Sequence, residues 1–164
     1  MSILSICQSI QESSIGMQLR ESTYLWPGIE ALHVLSLALS VGTITLVDLR
    51  LMGFLMRDES VTDIIEQTRP LTIAGFVTAF VTGAILFWSE AGKLYPSYSF
   101  RIKLVCIVLP GLNAFLFHST VFKSVDEWNR SPLVPFRAKM AGWFGLIFRA
   151  VVIFMGRWTA YNLK

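Results

Sequence analysis

Charge is what this sequence has least of. Asp, Glu, Lys and Arg make up 15% of its 164 residues, where a soluble domain carries about 25%. Hydrophobic residues make up 54%. That balance excludes an ordinary soluble domain and points to a membrane protein. The net charge of +3 is dispersed. Without a basic block there is no electrostatic footprint for nucleic acid, which is not expected as a partner. Cysteine is nearly absent. Cys7 and Cys106 lie far apart and read as small buried hydrophobes, so no disulfide framework is expected. His33 and His118 are the only histidines, and no HxxxH, CxxC or HExxH spacing exists. No phosphate-binding glycine loop or catalytic triad is present either, which argues against a soluble enzyme. No internal repeat suggests an inverted-repeat transporter. Met1–Gly16 lacks the basic and long apolar regions of a signal peptide. Its Ile3, Cys7 and Ile10 recur at helical spacing and predict a short helix on the membrane surface.

Long apolar runs are what the chain does have. A hydrocarbon core of about 30 Å needs about 20 apolar residues in a helix. Four segments qualify, at about 28–56, 70–91, 100–122 and 140–161. Trp26-Pro27 introduces the first, and Thr68 with Pro70 suits the start of the second. Ser60-x-x-Asp63 predicts a separate small surface helix over 60–70. The stretch 93–100 reads as an aromatic turn at head-group level, and 126–136 as a Pro-broken loop. Short links between consecutive spans predict an all-α, integral-membrane, antiparallel four-helix bundle in one domain.

Small residues mark where helices can approach closely: Gly75, Ala79 and Gly83 in the second span, and Ser36-xxx-Ser40 and Ala38-xxx-Gly42 in the first. Pro110-Gly111 predicts a kink in the third. The N-terminus, second loop and C-terminus share one face of the membrane, face A. The first and third loops share the other, face B. Lys and Arg divide almost evenly between them, with Lys103 counted to face A and Arg50 to face B, so orientation is left open.

Ionisable residues inside spans are costly and usually face the bundle interior. At 1.5 Å per residue they sort by depth. Glu30, His33, Glu90 and Arg157 lie near face A, with Met155. Asp48, Arg50 and His118 lie near face B, with Met140. Arg149 and Asn113 lie at mid-depth, among Ser40, Thr43, Thr78 and Thr82. As structural pairs, Glu30 would meet Arg157, Asp48 would accept a hydrogen bond from His118, and Asn113 would satisfy Arg149. Arg50 would snorkel toward face B. As ligands, His33 and His118 are the candidates for a metal or haem. They are offset by about 20 Å along the bundle, too far to share one haem. His33 with Met155, or His118 with Met140, is a chemically reasonable haem pair. Haem b and copper are the cofactors such donors could hold.

The stretches 20–53, 103–118 (KLVCIVLPGLNAFLFH) and 156–161 (GRWTAY) resemble a family of small bacterial four-helix inner-membrane proteins of unknown function. The Asn-x-x-x-x-His end of the third span is more distantly similar to copper-resistance protein D. The resemblance implies a multi-pass protein of the bacterial inner membrane and a link to copper handling. Some bundles in that broad group resemble cytochrome b561, whose paired His ligands this chain does not supply.

Three functions follow as alternatives. One is a redox or metal/haem-handling subunit with separate sites near each face, working with a periplasmic or membrane redox or metal partner. Another is a small transporter or channel component, in which Arg149 would favour an anion. The last is a non-catalytic partner or assembly subunit, which could form a homo-oligomer. The lipid bilayer is the surrounding partner in all three.

Overall fold

The computed structural model describes residues 2–129, 131 and 133–162, with Arg157 and 159–162 described by backbone alone. The protein is all-α, and four of its helices are long and apolar enough to cross a membrane. It is a multi-pass membrane protein.

Two short helices, not one, precede the first span: α1 (Ile3–Gln11) and α2 (Ser14–Glu21). Ser13 separates them. Its backbone is extended, and its Oγ accepts the Gly16 amide at 3.3 Å as an N-cap. A Cβ at Gly16 would stand 2.5 Å from the Gln11 carbonyl oxygen, so the two helices fold together this tightly only over glycine. Both pack against the end of α4. The Gln11 Oε1 accepts the Gly92 amide at 2.9 Å, and the Trp88 indole donates to Ser13 Oγ at 3.0 Å.

The first span is α3 (Leu25–Met52), ended by Gly53 in the left-handed region. The second is α4 (Val61–Leu94). Ser60 caps it by accepting the Asp63 amide, so the predicted surface helix and the second span are one continuous helix. Pro70 sits inside it. The ring removes one backbone donor, but Pro70 is exposed, away from the helix-helix seams. At roughly 50 Å, α4 outreaches the hydrocarbon core. Its only irregular backbone is at Glu90, just before the segment that carries α1. The third span is α5 (Tyr98–Ser119), which runs unbroken through Pro110. A 3₁₀ turn (Val121–Ser124) and a one-turn helix α6 (Val125–Trp128) follow. The fourth span, α7 (Phe136–Asn162), starts four residues earlier than expected. Pro135 explains this, because its carbonyl already accepts the Ala138 and Lys139 amides.

Helix α3 is the hub. It packs most extensively on α4 and also on α7, while α5 packs on α7. The spatial order is therefore α4, α3, α7, α5. Helices α4 and α5 are joined by three residues yet scarcely pack, and that side of the bundle is open. Near face A it is bridged by Phe87 stacked on Phe100, with centroids 5.4 Å apart. The α3–α4 seam is built as the small residues foretell. A Cβ on Gly75 would lie 2.9 Å from Ser36 O, Ser40 N and Ser40 Cβ. The other predicted small pair, Ala38 and Gly42, points outward, with nothing within 4 Å of Gly42. At face B, Leu51, Val61, Phe117, Val125, Trp128, Val134 and Ala138 form one apolar cluster under the loops. Bulky side chains such as Phe80, Val108 and Phe115 cover the outside, as lipid contact requires.

Candidate functional site

Three polar centres lie within this frame. The first joins α3 to α7. Asp48 is buried and its Oδ2 pairs with Arg149 Nη2. Glycines make the meeting possible. A Cβ on Gly142 would press on Asp48 O at 2.9 Å, and one on Gly145 would meet Arg149 Nη2 at 2.9 Å and Asp48 Oδ2 at 3.1 Å. Depth alone sets Arg149 with Asn113 at the middle and Asp48 with His118 near face B. The structure pairs them differently because a helical side chain leans toward its own N-terminus. The N-terminus of α7 is at face B, so the guanidinium reaches one turn down, across Gly145, to Asp48. Asn113 instead donates to the Ala141 carbonyl at 2.9 Å.

The second centre is Arg50, with no exposed surface at all. It does not snorkel. Its Nε donates to Glu59 O at 2.9 Å, and its Nη2 donates to Asn129 O and Ser131 O at 3.3 Å each. Asn129 completes the knot. Its Oδ1 accepts from Ser60 Oγ and the Thr62 amide, and its Nδ2 donates to Thr62 Oγ1 at 2.8 Å. One guanidinium thus clamps the α3–α4 link to the α5–α7 link. That is a structural task, achieved with neutral carbonyls rather than a carboxylate.

The third centre lies toward face A and draws on all four spans. His33 of α3 lies over Gly83 of α4, where an added Cβ would be 3.0 Å from its Cε1. Its Nδ1 meets Thr82 Oγ1 at 2.9 Å. Thr82 Oγ1 donates its own hydrogen to Thr78 O at 2.6 Å. At a similar depth lies Lys103 of α5, which leans on α7, with Cε and Nζ both 3.7 Å from the Cβ position of Gly156. Two helix registers agree with this. Phe87 and Phe100 are stacked, Gly83 is one turn deeper than Phe87 on α4, and Lys103 is one turn deeper than Phe100 on α5. No hydrogen bond or ion pair joins Lys103 to a carboxylate among the described residues. Glu30, one turn above His33, is the nearest span carboxylate by depth and makes no ion pair with a described residue, while Glu90 pairs at 3.5 Å with Lys93. Lys103 escapes a sequence reading because it stands near the end of an apolar run, where a lysine normally reaches for head groups.

The hydroxyls between the centres do not form a route. Ser36, Ser40, Thr43 and Thr72 each donate to a carbonyl three or four residues back, and Thr43 meets Thr72 at 2.7 Å across the α3–α4 seam.

The remaining candidates are scattered. His118 is exposed; its Nδ1 lies 3.2 Å from Ala114 O, and its ring stacks on Phe122 with centroids 4.8 Å apart. Met140 lines an open groove of about 270 Å³ between α5 and α7, beside Asn113, Phe117 and Arg137, and His118 does not line it. Met155 is half-buried next to Gly156 at the Lys103 level, and Glu30 is half-buried one turn above His33. The side chain of Arg157 lies outside the described residues, and with it the expected pair with Glu30. Among the described residues no group of three His, Cys, Asp or Glu side chains comes together as a metal site. His33 and His118 remain offset by roughly 22 Å along parallel helices. No protein-family model, curated protein or solved structure matches the chain.

Proposed function

We propose that this chain is a small anion-handling transporter or channel component, and that its membrane is the bacterial inner membrane, as the sequence resemblance suggests. The observation that carries the reading is Lys103. Of the cations drawn into the bundle, Arg149 is neutralised by Asp48 and Arg50 is spent on backbone carbonyls. Lys103 has no such partner among the described residues. An ammonium in a low-dielectric interior without a counter-charge is costly, and an incoming anion offsets that cost. The anion contact thus moves from Arg149 to Lys103. The metal or haem reading draws no support from donor grouping. His33 meets Thr82 and Gly83 rather than a second ligand, and His118 lies on the outer surface.

Flux of small anions into proteoliposomes tests this. Wild-type protein is expected to raise carboxylate uptake above that of empty vesicles. Lys103→Gln is expected to lower it by about tenfold or more, the scale of one charge-assisted hydrogen bond. Uptake no faster than in empty vesicles would remove the proposal.

A further inference from the structure

The open groove of about 270 Å³ between α5 and α7 lies toward face B, and none of the three polar centres uses it. Leu116 and Phe117 of α5 and Met140 and Phe144 of α7 give it apolar walls. At its inner end Asn113 donates across to the Ala141 carbonyl at 2.9 Å and ties the two helices together. Arg137, in the first turn of α7, lines its outer end. Arg137 is exposed, and among the described residues it makes no hydrogen bond or ion pair. No carboxylate lines the groove. The groove is thus apolar inward and cationic at its mouth.

Its length selects the occupant. From Arg137 to Phe144 it extends about 10 Å along α7. The hydrocarbon of one leaflet is about 15 Å deep, half of a core of about 30 Å. The groove therefore ends within the face-B leaflet. A partner's membrane-spanning helix would need a seam through most of both leaflets, whereas one acyl chain needs only this much. A guanidinium at the mouth matches a phosphate, which it can hold by two parallel hydrogen bonds. A zwitterionic head group brings its own ammonium toward Arg137, and an anionic one does not. We infer that the groove binds an anionic phospholipid of the face-B leaflet, its phosphate on the Arg137 guanidinium and the outer part of one acyl chain between α5 and α7. The site lies toward the opposite face from Lys103 and does not rest on the anion-handling reading.

The test is titration of detergent-purified protein with phosphatidylglycerol and with phosphatidylcholine of identical acyl chains, with bound lipid counted by native mass spectrometry. Phosphatidylglycerol is expected to bind about fivefold tighter, the worth of one basic side chain beside an anionic lipid. Arg137→Gln is expected to equalise the two lipids. Arg69→Gln removes an exposed arginine of α4 outside the groove and is expected to keep the preference. Ala141→Leu fills the groove and is expected to weaken both lipids. Glycerol 3-phosphate, a phosphate without a chain, is expected not to compete. Equal affinity for the two lipids in the wild type would overturn the inference. So would a preference that survives Arg137→Gln, or one lost equally with Arg69→Gln. Undiminished binding in Ala141→Leu would overturn the chain's place, and full competition by glycerol 3-phosphate would make this a site for free phosphates instead.

Discussion

Arg149→Met is expected to destabilise the protein by about 3–5 kcal/mol, the cost of leaving one member of a buried ion pair alone. The orphan would be Asp48, buried on α3 against the backbone of α7. It cannot turn to His118, which is exposed and stacked on Phe122, and Asn113 is committed to Ala141 O. Close packing over Gly142 and Gly145 also leaves little room for water to replace the guanidinium. Asp48→Asn alone should be harmful in the mirror sense, leaving Arg149 buried and uncompensated. The double variant Asp48→Asn, Arg149→Gln removes both charges and should recover most of the loss. Reversible unfolding in mixed micelles would measure the cycle. Additive single effects would mean that the two side chains do not act as a pair.

Arg50→Met should be the second large effect, roughly 3 kcal/mol or more. It strips hydrogen bonds from the carbonyls of Glu59, Asn129 and Ser131 at once, and each unsatisfied buried group costs about 1–3 kcal/mol. The damage should be local. The two face-B links would loosen and the α4 cap at Ser60 would weaken, because Asn129 holds Ser60 and Thr62. Arg50→Lys should not rescue it, since an ammonium cannot span three carbonyls in fixed directions as a planar guanidinium does. Faster proteolysis within 53–60 and 129–135, with the spans intact, is the expected readout. A Lys variant as stable as wild type would refute the clamp.

How much of this was legible in the chain depends on the range of the interaction. Span number and the Ser60 cap follow from local pattern and emerge intact. The Pro70 start did not hold: a helix already capped at Ser60 continues through an exposed proline when its partners hold it. Helix α7 begins early because Pro135 supplies the first acceptor. The seam Ser36-Ser40 against Gly75 was readable because small residues recur on one face. The equivalent pattern at Ala38 and Gly42 faces outward, and nothing in a single helix says which face finds a neighbour. Depth separated His33 from His118 correctly in kind. It mispaired Asp48 and Arg149, because it counts Cα positions and a long side chain travels a full turn along its helix. Lys103 was invisible as an interior group, since the neighbour it leans on, Gly156, belongs to α7.

The stability of Lys103→Met beside that of Arg149→Met, measured in the same micelles, tests most directly whether one interior centre is neutralised and the other left cationic. Removing an uncompensated charge abandons no partner, so Lys103→Met should unfold at the same or a higher denaturant concentration than wild type, while Arg149→Met falls well below it. A Lys103→Met protein destabilised as severely as Arg149→Met would contradict this, because it would mean that Lys103 already has its counter-charge within the fold.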